Sequence, residues 1–319
     1  MRILLTGSSG WLGRFLAPML RAAGHEVAGL DVAPGNATDL VGSVADKAVV
    51  DRAFADFRPE AVIHGGALHK PDIVRYPAQA FVDVNVTGTL NLLEAAVAAG
   101  HDRFIFTSTT SLMISQAIRD EMADQAVWLD ETQAGLEPRN IYGVTKLAAE
   151  HLCRLFHADH KLAVMVLRTS RFFPEDDDTH AVPAGENLKA NELLYRRLTV
   201  EDAARAHIVA LDRAPDLGFG TFIISAPTPF SRDEARELKS DAAAVVARHF
   251  PQAPALYARA GWTLPASLGR VYDSSLAERR LGFRCESDFA AVLDCLARGA
   301  QLPFAHDPDY ISPKEAMGG

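Results

Sequence analysis

The sequence has few cysteines, no long apolar run and no excess of positive charge, and each of these absences excludes a class of protein. Its 3 cysteines are too few and too widely spaced for a disulfide framework or a zinc site. No apolar run approaches the roughly 18 residues that a membrane-spanning helix needs. The formal net charge of -9 argues against a nucleic-acid-binding surface, which requires a basic face.

The rest of the composition is that of an ordinary globular protein. Hydrophobic residues make up 48% of the chain and charged residues 23%, which supplies enough apolar material for a sizeable core. The chain runs from Met1 directly into an apolar segment and a glycine-rich turn, without the features of a secretory leader. We therefore expect a cytoplasmic protein that binds neither membranes nor nucleic acid.

Short apolar runs alternate with longer amphipathic stretches along most of the chain. The runs predict strands and the stretches predict helices, and such an alternation forms a parallel sheet covered on both faces. The predicted fold class is therefore α/β, with a Rossmann-type doubly wound parallel sheet. The predicted strands are 3–6, 27–30, 61–64, 104–107, 163–167 and 221–225, and the predicted helices are 12–23, 46–57, 78–99, 142–157, 201–213, 231–249 and 286–298.

Three glycines follow the first predicted strand and open the first predicted helix. Gly7 permits a tight turn, Gly10 lets the backbone approach a pyrophosphate, and Gly13 allows close packing of helix on strand. The helix N-terminus adds free N–H groups and the positive end of its dipole. This pattern predicts a dinucleotide site, and a purely structural glycine-rich turn is the alternative.

Asp31 ends the second predicted strand. A carboxylate at this place accepts hydrogen bonds from the adenosine ribose hydroxyls and repels the 2′-phosphate of NADP. The residues that follow it, Val32, Ala33 and Pro34, include no Arg or Lys. The sequence therefore favours NAD over NADP, the alternative being a carboxylate that only caps a turn.

Tyr142 and Lys146 open a predicted helix. Their i to i+4 spacing puts both side chains on one helix face. A phenol does not ionise near neutral pH unaided, but a nearby ammonium lowers its pKa by stabilising the phenolate. The pair therefore predicts general acid/base chemistry at a carbinol oxygen.

Hydroxyl side chains end the predicted strand at 104–107. Thr107, Ser108 and Thr109 lie there, followed by two further hydroxyl residues. Side chains at the carboxyl end of a parallel strand face the ligand crevice. One of these hydroxyls is therefore predicted to bind the substrate oxygen and to orient it toward Tyr142.

Taken together, these motifs resemble those of the extended, epimerase/dehydratase-type short-chain dehydrogenases/reductases. The resemblance covers most of the chain and is specific over the first 170 residues. The matching segments are 6–13, Asp31, 62–67, 85–89, 106–109, Tyr142 and Lys146, with weaker matches at 167–170, 200–204, 273–278 and 281–283.

The resemblance implies a role for each matching position. Thr109, Tyr142 and Lys146 are the implied catalytic residues, with Tyr142 as acid/base and Lys146 bound to the nicotinamide ribose. Ser108 and Thr109 are implied to contact the substrate. The implied NAD contacts are Gly7, Ser9, Gly10, Trp11, Leu12, Gly13, Asp31, Ala67, Asn85, Thr107, Tyr142 and Lys146.

Three departures from the family pattern matter. The family's adenine-contacting Gly-Asp pair is here Gly42-Ser43, which leaves no carboxylate at that point. Residues 114–134 resemble an insertion that we expect to form part of the pocket wall. Thr110 and Ser111 stand where sugar dehydratases carry an acid pair, which argues against dehydration.

The predicted organisation has two parts. Residues 1–170 form the NAD-binding domain, and 171–319 form mainly a smaller substrate-binding lobe, with segments at about 199–226 returning to the first domain. In the second half, Arg171 and Arg197 are the candidates for binding a substrate phosphate or carboxylate. The acidic run at 175–178 is interpreted as a solvated loop, and the proline-containing tail from 301 as an extended segment.

These features predict an NAD-dependent oxidoreductase or epimerase that acts on a hydroxyl group of a sugar, nucleotide sugar or related small molecule. Tyr142 is its acid/base, with hydride transfer to nicotinamide C4. The alternatives are an NADP-dependent carbonyl reductase and a non-catalytic NAD-sensing regulatory protein. The resemblance further implies a homodimer built on the predicted helices at 78–99 and 142–157.

Overall fold

The strands of the chain fall into two parallel sheets in the computed structural model, which describes residues 1–174 and 185–304. Within those residues, seven strands form the main sheet in the order β3-β2-β1-β4-β5-β7-β8, while β6 pairs with β9. The predicted α/β class with a Rossmann-type parallel sheet is confirmed. In chain order the strands are β1 (Arg2–Thr6), β2 (Glu26–Asp31), β3 (Leu40–Val41), β4 (Ala61–His64), β5 (Arg103–Thr109), β6 (Val127–Leu129), β7 (Ala163–Thr169), β8 (Phe219–Ile224) and β9 (Arg270–Tyr272).

Helices cover both faces of the main sheet. Short 3-10 and π turns join some of them. No helix of the described residues is long and apolar enough to cross a membrane. The helices are α1 (Trp11–Ala22), α2 (Lys47–Phe57), α3 (Ala78–Phe81), α4 (Gly88–Ala98), α5 (Gln116–Arg119), α6 (Ile141–His160), α7 (Gly185–Glu192), α8 (Val200–Leu217), α9 (Ala235–His249), α10 (Ala253–Ala260) and α11 (Phe289–Arg298).

The strand order reverses between β1 and β4. Both strands pair in parallel, and their carboxyl ends lead into Gly7 and Gly65. Open α/β sheets bind ligands in the crevice above such a reversal point. The sheet therefore directs the glycine turn, the turn after β4 and the end of β5 toward one crevice.

The predicted helix at 78–99 is interrupted in the structure. A π-helical turn at Val82–Thr87 separates α3 from α4. A π turn inserts one extra residue into a helix, and such turns often occur at functional sites. Here the turn contains Asn85, whose side chain is fully buried beside the crevice.

The segment at 114–134 joins the smaller lobe. The N–H of Ala126 donates to the carbonyl of Ala235 (2.8 Å), and β6 pairs with β9. The Glu131 carboxylate accepts the N–H of Ile223 (2.7 Å), which lies on the edge strand β8. The segment thus covers an exposed sheet edge, a position that otherwise invites strand pairing with other chains.

Apolar clusters pack on both faces of the main sheet and a further one fills the smaller lobe. The chain returns to the main sheet at α8 and β8. Helix α8 packs against α1. The lobe cluster combines Ala126 with side chains between 190 and 304. The acidic run at 175–178 and the tail beyond residue 304 lie outside the described residues.

We expect Tyr257→Phe to stabilise the protein. The Tyr257 side chain is 1% exposed, packs against Trp262 and Phe289, and its hydroxyl has no hydrogen-bond partner among the described residues. A buried, unsatisfied hydroxyl costs free energy, so its removal should raise the free energy of unfolding by about 1 kcal/mol. Urea unfolding measures this, and a decrease would mean that the hydroxyl makes a stabilising hydrogen bond.

Candidate active site

The glycine turn has the shape of a phosphate cradle. Gly7 has a φ of 76°, and a Cβ on it would lie 2.8 Å from the backbone of Gly65 and Gly66. A Cβ on Gly13 would overlap the carbonyl of Gly7. Gly10 precedes α1 without a capping side chain, so the first-turn N–H groups of the helix are available to an anion. The residues present therefore fit a dinucleotide pyrophosphate.

Asp31 lies beside this cradle. Its Oδ2 accepts the N–H of Ser9 (3.0 Å) and its Oδ1 accepts the N–H of Ala33 (3.1 Å). These bonds fix the carboxylate at the end of β2, where it can accept ribose hydroxyls. Ser43, by contrast, accepts the N–H of Ala45 (3.2 Å), as expected of a turn residue.

Tyr142 is buried in the first turn of α6. The cap residue Asn140 accepts the N–H of Gly143 and so sets where this helix begins. The Thr109 side chain lies beside the Tyr142 hydroxyl, and its Oγ1 accepts the N–H of Ser111 (3.1 Å). Burial raises the pKa of Tyr142 to about 12, opposed by the neighbouring Thr109 side chain and reinforced by the negative charge of Asp72.

Lys146 lies one turn further along α6. Its Nζ is 3.9 Å from the centre of the Phe106 ring, and burial lowers its pKa to about 7 against the opposing charges of Cys153 and Glu150. Burial, Thr109 and Asp72 set the pKa of Tyr142 in this geometry, and the lowering of that pKa by Lys146 stays a prediction.

A buried hydrogen-bond relay connects the glycine turn with the π turn. The Thr89 hydroxyl donates to the carbonyl of Asn85 (2.7 Å), so its oxygen must accept Nε2–H of His64 (3.0 Å). Nδ1 of His64 then accepts the Thr6 hydroxyl (2.7 Å), whose oxygen accepts the N–H of Gly66 (3.0 Å). Burial holds the pKa of His64 well below its ordinary value. The neutral ring therefore keeps both turns in place, a role that the sequence did not suggest.

Asn85, in the π turn, is hydrogen-bonded to the turn after β4 and to α6. Its Oδ1 accepts the N–H of Leu68 (2.8 Å), while Nδ2 donates to the carbonyl of Leu68 (3.1 Å) and to Thr145 Oγ1 (3.0 Å). The resemblance implies a cofactor contact here, whereas the structure commits the amide to the turn after β4 and to α6. Asn85 thus links Leu68, in the turn after β4, to Thr145 in α6.

A model of the NAD-dependent epimerase/dehydratase family matches residues 3–220, which is more than half of the chain. The chain belongs to this family. The family resemblance expected from the motifs is therefore confirmed, and NAD is the cofactor of the family.

The chain is similar to several characterised members. It is 30% identical over 199 residues to a UDP-glucose 4-epimerase of Rhizobium meliloti, covering 57% of this chain and 58% of the relative. It is 29% identical over 181 residues to an L-arabinose 1-dehydrogenase (NAD(P)(+)) of Haloferax volcanii, covering 55% and 69%. The chain thus spans little more than half of the epimerase.

Solved structures support the fold. A short-chain dehydrogenase/reductase superfamily protein from Agrobacterium tumefaciens, crystallised with bound NAD, superposes with a TM-score of 0.64. That match is 24% identical and covers 93% of this chain and 96% of the other. At this identity the likeness establishes the shared architecture alone.

The hydroxyls of Thr107 and Ser108, on β5, are hydrogen-bonded to side chains of α8 and α6. Ser108 Oγ donates to Glu150 Oε1 (2.6 Å) on α6, and the implied substrate contact of Ser108 stays a prediction. Thr107 Oγ1 donates to His207 Nε2 (2.8 Å), while His207 Nδ1 donates to the carbonyl of Ala203 (2.7 Å). Burial lowers the pKa of His207 to about 4, which keeps it neutral. Thr107 is thus tied to α8, and its cofactor contact stays a prediction.

The two candidate arginines for substrate binding surround a buried carboxylate. Arg197 is 2% exposed and lies 2.7 Å from Glu192, to which Arg196 also pairs at 2.7 Å. The Arg171 side chain, one quarter exposed, lies 3.9 Å from the same carboxylate. Burial raises the pKa of Glu192, but the three guanidinium groups outweigh it and the pKa falls. Arg197 therefore belongs to an internal ion-pair cluster, and Arg171 is its more exposed member.

Phe172, Phe173 and His69 form an aromatic wall beside Tyr142. The rings of Phe172 and Phe173 stack at 4.7 Å, and Phe173 meets His69 at 5.6 Å. His69 in turn lies 5.8 Å from the Tyr142 ring. Trp11 Nε1 donates to the carbonyl of Phe172 (3.1 Å), which ties the wall to the glycine turn. The sequence feature that could have revealed this wall is the pair of phenylalanines shortly after β7.

Proposed function

We propose that this protein is an NAD-dependent oxidoreductase or epimerase acting on a hydroxyl group of a sugar, nucleotide sugar or related small molecule. The observation that carries the proposal is the buried Tyr142 side chain in the first turn of α6, with Thr109 beside it and Lys146 one turn later. NAD, when bound, supplies the hydride acceptor at C4 of its nicotinamide.

Tyr142, Lys146 and Thr109 have different roles in the proposed proton transfer. With a pKa of about 12, Tyr142 keeps its proton near neutral pH and is ready to donate it to a carbonyl oxygen. In the opposite direction it takes the proton of a substrate hydroxyl, and this requires its pKa to fall. Lys146, on the same helix face, supplies the positive charge for that change. Thr109 holds the substrate oxygen against the phenol.

The substrate side of the proposal rests on Thr109, Arg171 and the aromatic wall. The partly exposed guanidinium of Arg171 suits a phosphate or carboxylate, and the apolar faces of a sugar ring pack well on aromatic side chains. Arg197 holds Arg171 in place through their shared carboxylate, Glu192. The UDP-glucose 4-epimerase and arabinose dehydrogenase relatives are consistent with either a nucleotide sugar or a free sugar.

A substrate panel tests this function. The purified protein is incubated with NAD and either free aldoses or UDP-hexoses, and both NADH formation and inversion of the sugar are followed. We expect turnover with one of the two classes: NADH with an oxidised sugar for a dehydrogenase, or an inverted sugar without net NADH for an epimerase. NAD binding without any substrate-dependent change would favour the NAD-sensing alternative.

We also propose that the protein is a homodimer and lies in the cytoplasm. Apolar side chains at Val82, Val144 and Leu155 are exposed on α6 and on the helix that includes the π turn. An exposed apolar surface of this kind suits a symmetric contact with a second copy. Sedimentation equilibrium measures the mass that decides between monomer and dimer.

A further inference from the structure

The hydrogen-bond relay through His64 continues from the π turn into α6. The Asn85 side-chain amide donates to Thr145 Oγ1 (3.0 Å). The Thr145 hydroxyl in turn donates to the carbonyls of Ile141 (2.9 Å) and Tyr142 (3.1 Å). Because the backbone carbonyl of Asn85 accepts the preceding bond of the relay, the bonds join the glycine turn to the backbone of Tyr142.

The members of this relay are buried, and each bond in it has one direction. Every hydroxyl accepts one bond and donates onward, while the neutral His64 ring accepts at Nδ1 and donates at Nε2. The side chains are at most 2% exposed, so a displaced member would leave its neighbours with unsatisfied groups that water cannot reach. The members therefore move together. They are Thr6, His64, Asn85, Thr89 and Thr145.

One end of the relay lies at the glycine turn. Thr6 is the last residue of β1 and directly precedes Gly7. Its Oγ1 accepts the N–H of Gly66 (3.0 Å), and a Cβ on Gly66 would lie 3.2 Å from the Gly7 nitrogen. An anion bound to the N–H groups of the glycine turn therefore orders this end of the relay. In a packed network, ordering one end reduces the motion of the other.

We propose that the relay couples the glycine turn to α6, so that a pyrophosphate bound in the turn makes the first turn of α6 more rigid. His64 and Thr145 are then positioning residues for Tyr142. The inference rests on the proposed function for the role of Tyr142, but the bonds involve no substrate and their test requires none. Tyr142 is held most firmly when the cofactor is in place, which links cofactor binding energetically to the placement of the acid/base.

Hydrogen exchange with ADP as the probe tests this coupling. ADP carries the pyrophosphate and the adenosine of NAD but lacks the nicotinamide ribose, which the resemblance places on Lys146. Any effect of ADP on α6 therefore has to pass through the protein. Amide exchange of the glycine turn and of residues 141–146 is measured by mass spectrometry with and without saturating ADP. We expect ADP to slow exchange in both segments of the parent protein, by about fivefold in 141–146, the factor that corresponds to the net contribution of one hydrogen bond.

Two changes break the relay at different places. Thr145→Val removes the hydroxyl at α6 and keeps a side chain of similar volume. His64→Asn keeps an acceptor for Thr6, but its shorter side chain loses the bond to Thr89. In both variants we expect ADP still to slow exchange in the glycine turn, and the fivefold response of 141–146 to disappear.

Two control variants should keep the response of 141–146. Thr145→Ser retains the hydroxyl, and His101→Gln changes a histidine that bonds the Pro59 carbonyl (2.7 Å) at the opposite end of the sheet. A response of 141–146 that persists in Thr145→Val, or a response of the parent protein confined to the glycine turn, would overturn the proposal. Failure of the proposed function has a different signature, since the sugar panel would then show no turnover while the response to ADP stays intact.

Discussion

Replacing Tyr142 with phenylalanine should lower turnover about 100- to 10,000-fold, the usual contribution of a positioned general acid or base. The phenyl ring fills the same buried space, so the fold and the aromatic contact with His69 persist. Only the hydroxyl beside Thr109 is lost. NADH binding, measured by fluorescence, should stay within about threefold of the parent value. Single-turnover kinetics on the sugar identified by the panel measures the loss.

Tyr257→Phe is the matched control for this variant. It removes a hydroxyl from an equally buried tyrosine, but from the core of the smaller lobe rather than from the crevice. Its turnover should equal that of the parent protein. Near-normal turnover in Tyr142→Phe would mean that Tyr142 is not the acid/base and would revive the NAD-sensing alternative.

The parts of the site that sequence predicts well are those fixed by local geometry. Gly7 and Gly13 are recognisable because a tight turn and a close helix–strand contact exclude any Cβ. Tyr142 and Lys146 are recognisable because the helical repeat alone puts them on one face. Asp31 follows from its place at the end of a strand. Each of these needs only a few consecutive residues.

The parts that sequence does not predict depend on distant partners. The alternation of β5 puts Ser108 and Thr109 on opposite faces, but only the tertiary structure reveals that Glu150 is the partner of Ser108. Arg197 lies close in sequence to its partner Glu192, but the burial of this pair depends on tertiary packing that no local pattern shows. The strands β3, β6 and β9 have two or three residues each, too short for any periodic signal.

Breaking the buried Glu150–Arg168 ion pair should cause a large loss in the free energy of unfolding. Glu150 Oε2 lies 2.7 Å from Arg168 Nη2, both side chains are 8% exposed, and Ser108 donates to the same carboxylate. Glu150→Ala would leave the guanidinium buried without its counter-charge. Breaking a buried pair in this way costs about 3–5 kcal/mol. That is a large fraction of the roughly 5–15 kcal/mol that stabilises a typical domain. Urea unfolding measures the loss.

A double variant separates the pair from the packing around it. Glu150→Leu with Arg168→Met removes both charges and keeps apolar volume in the space between α6 and the end of β7. Because the penalty of the single variant comes from an isolated charge, the double variant should recover most of the lost stability. A loss below about 1 kcal/mol in Glu150→Ala would mean that water reaches Arg168 and that the pair behaves as a surface salt bridge. An unrecovered loss in the double variant would instead assign the stability to the Ser108 hydrogen bond and the local packing.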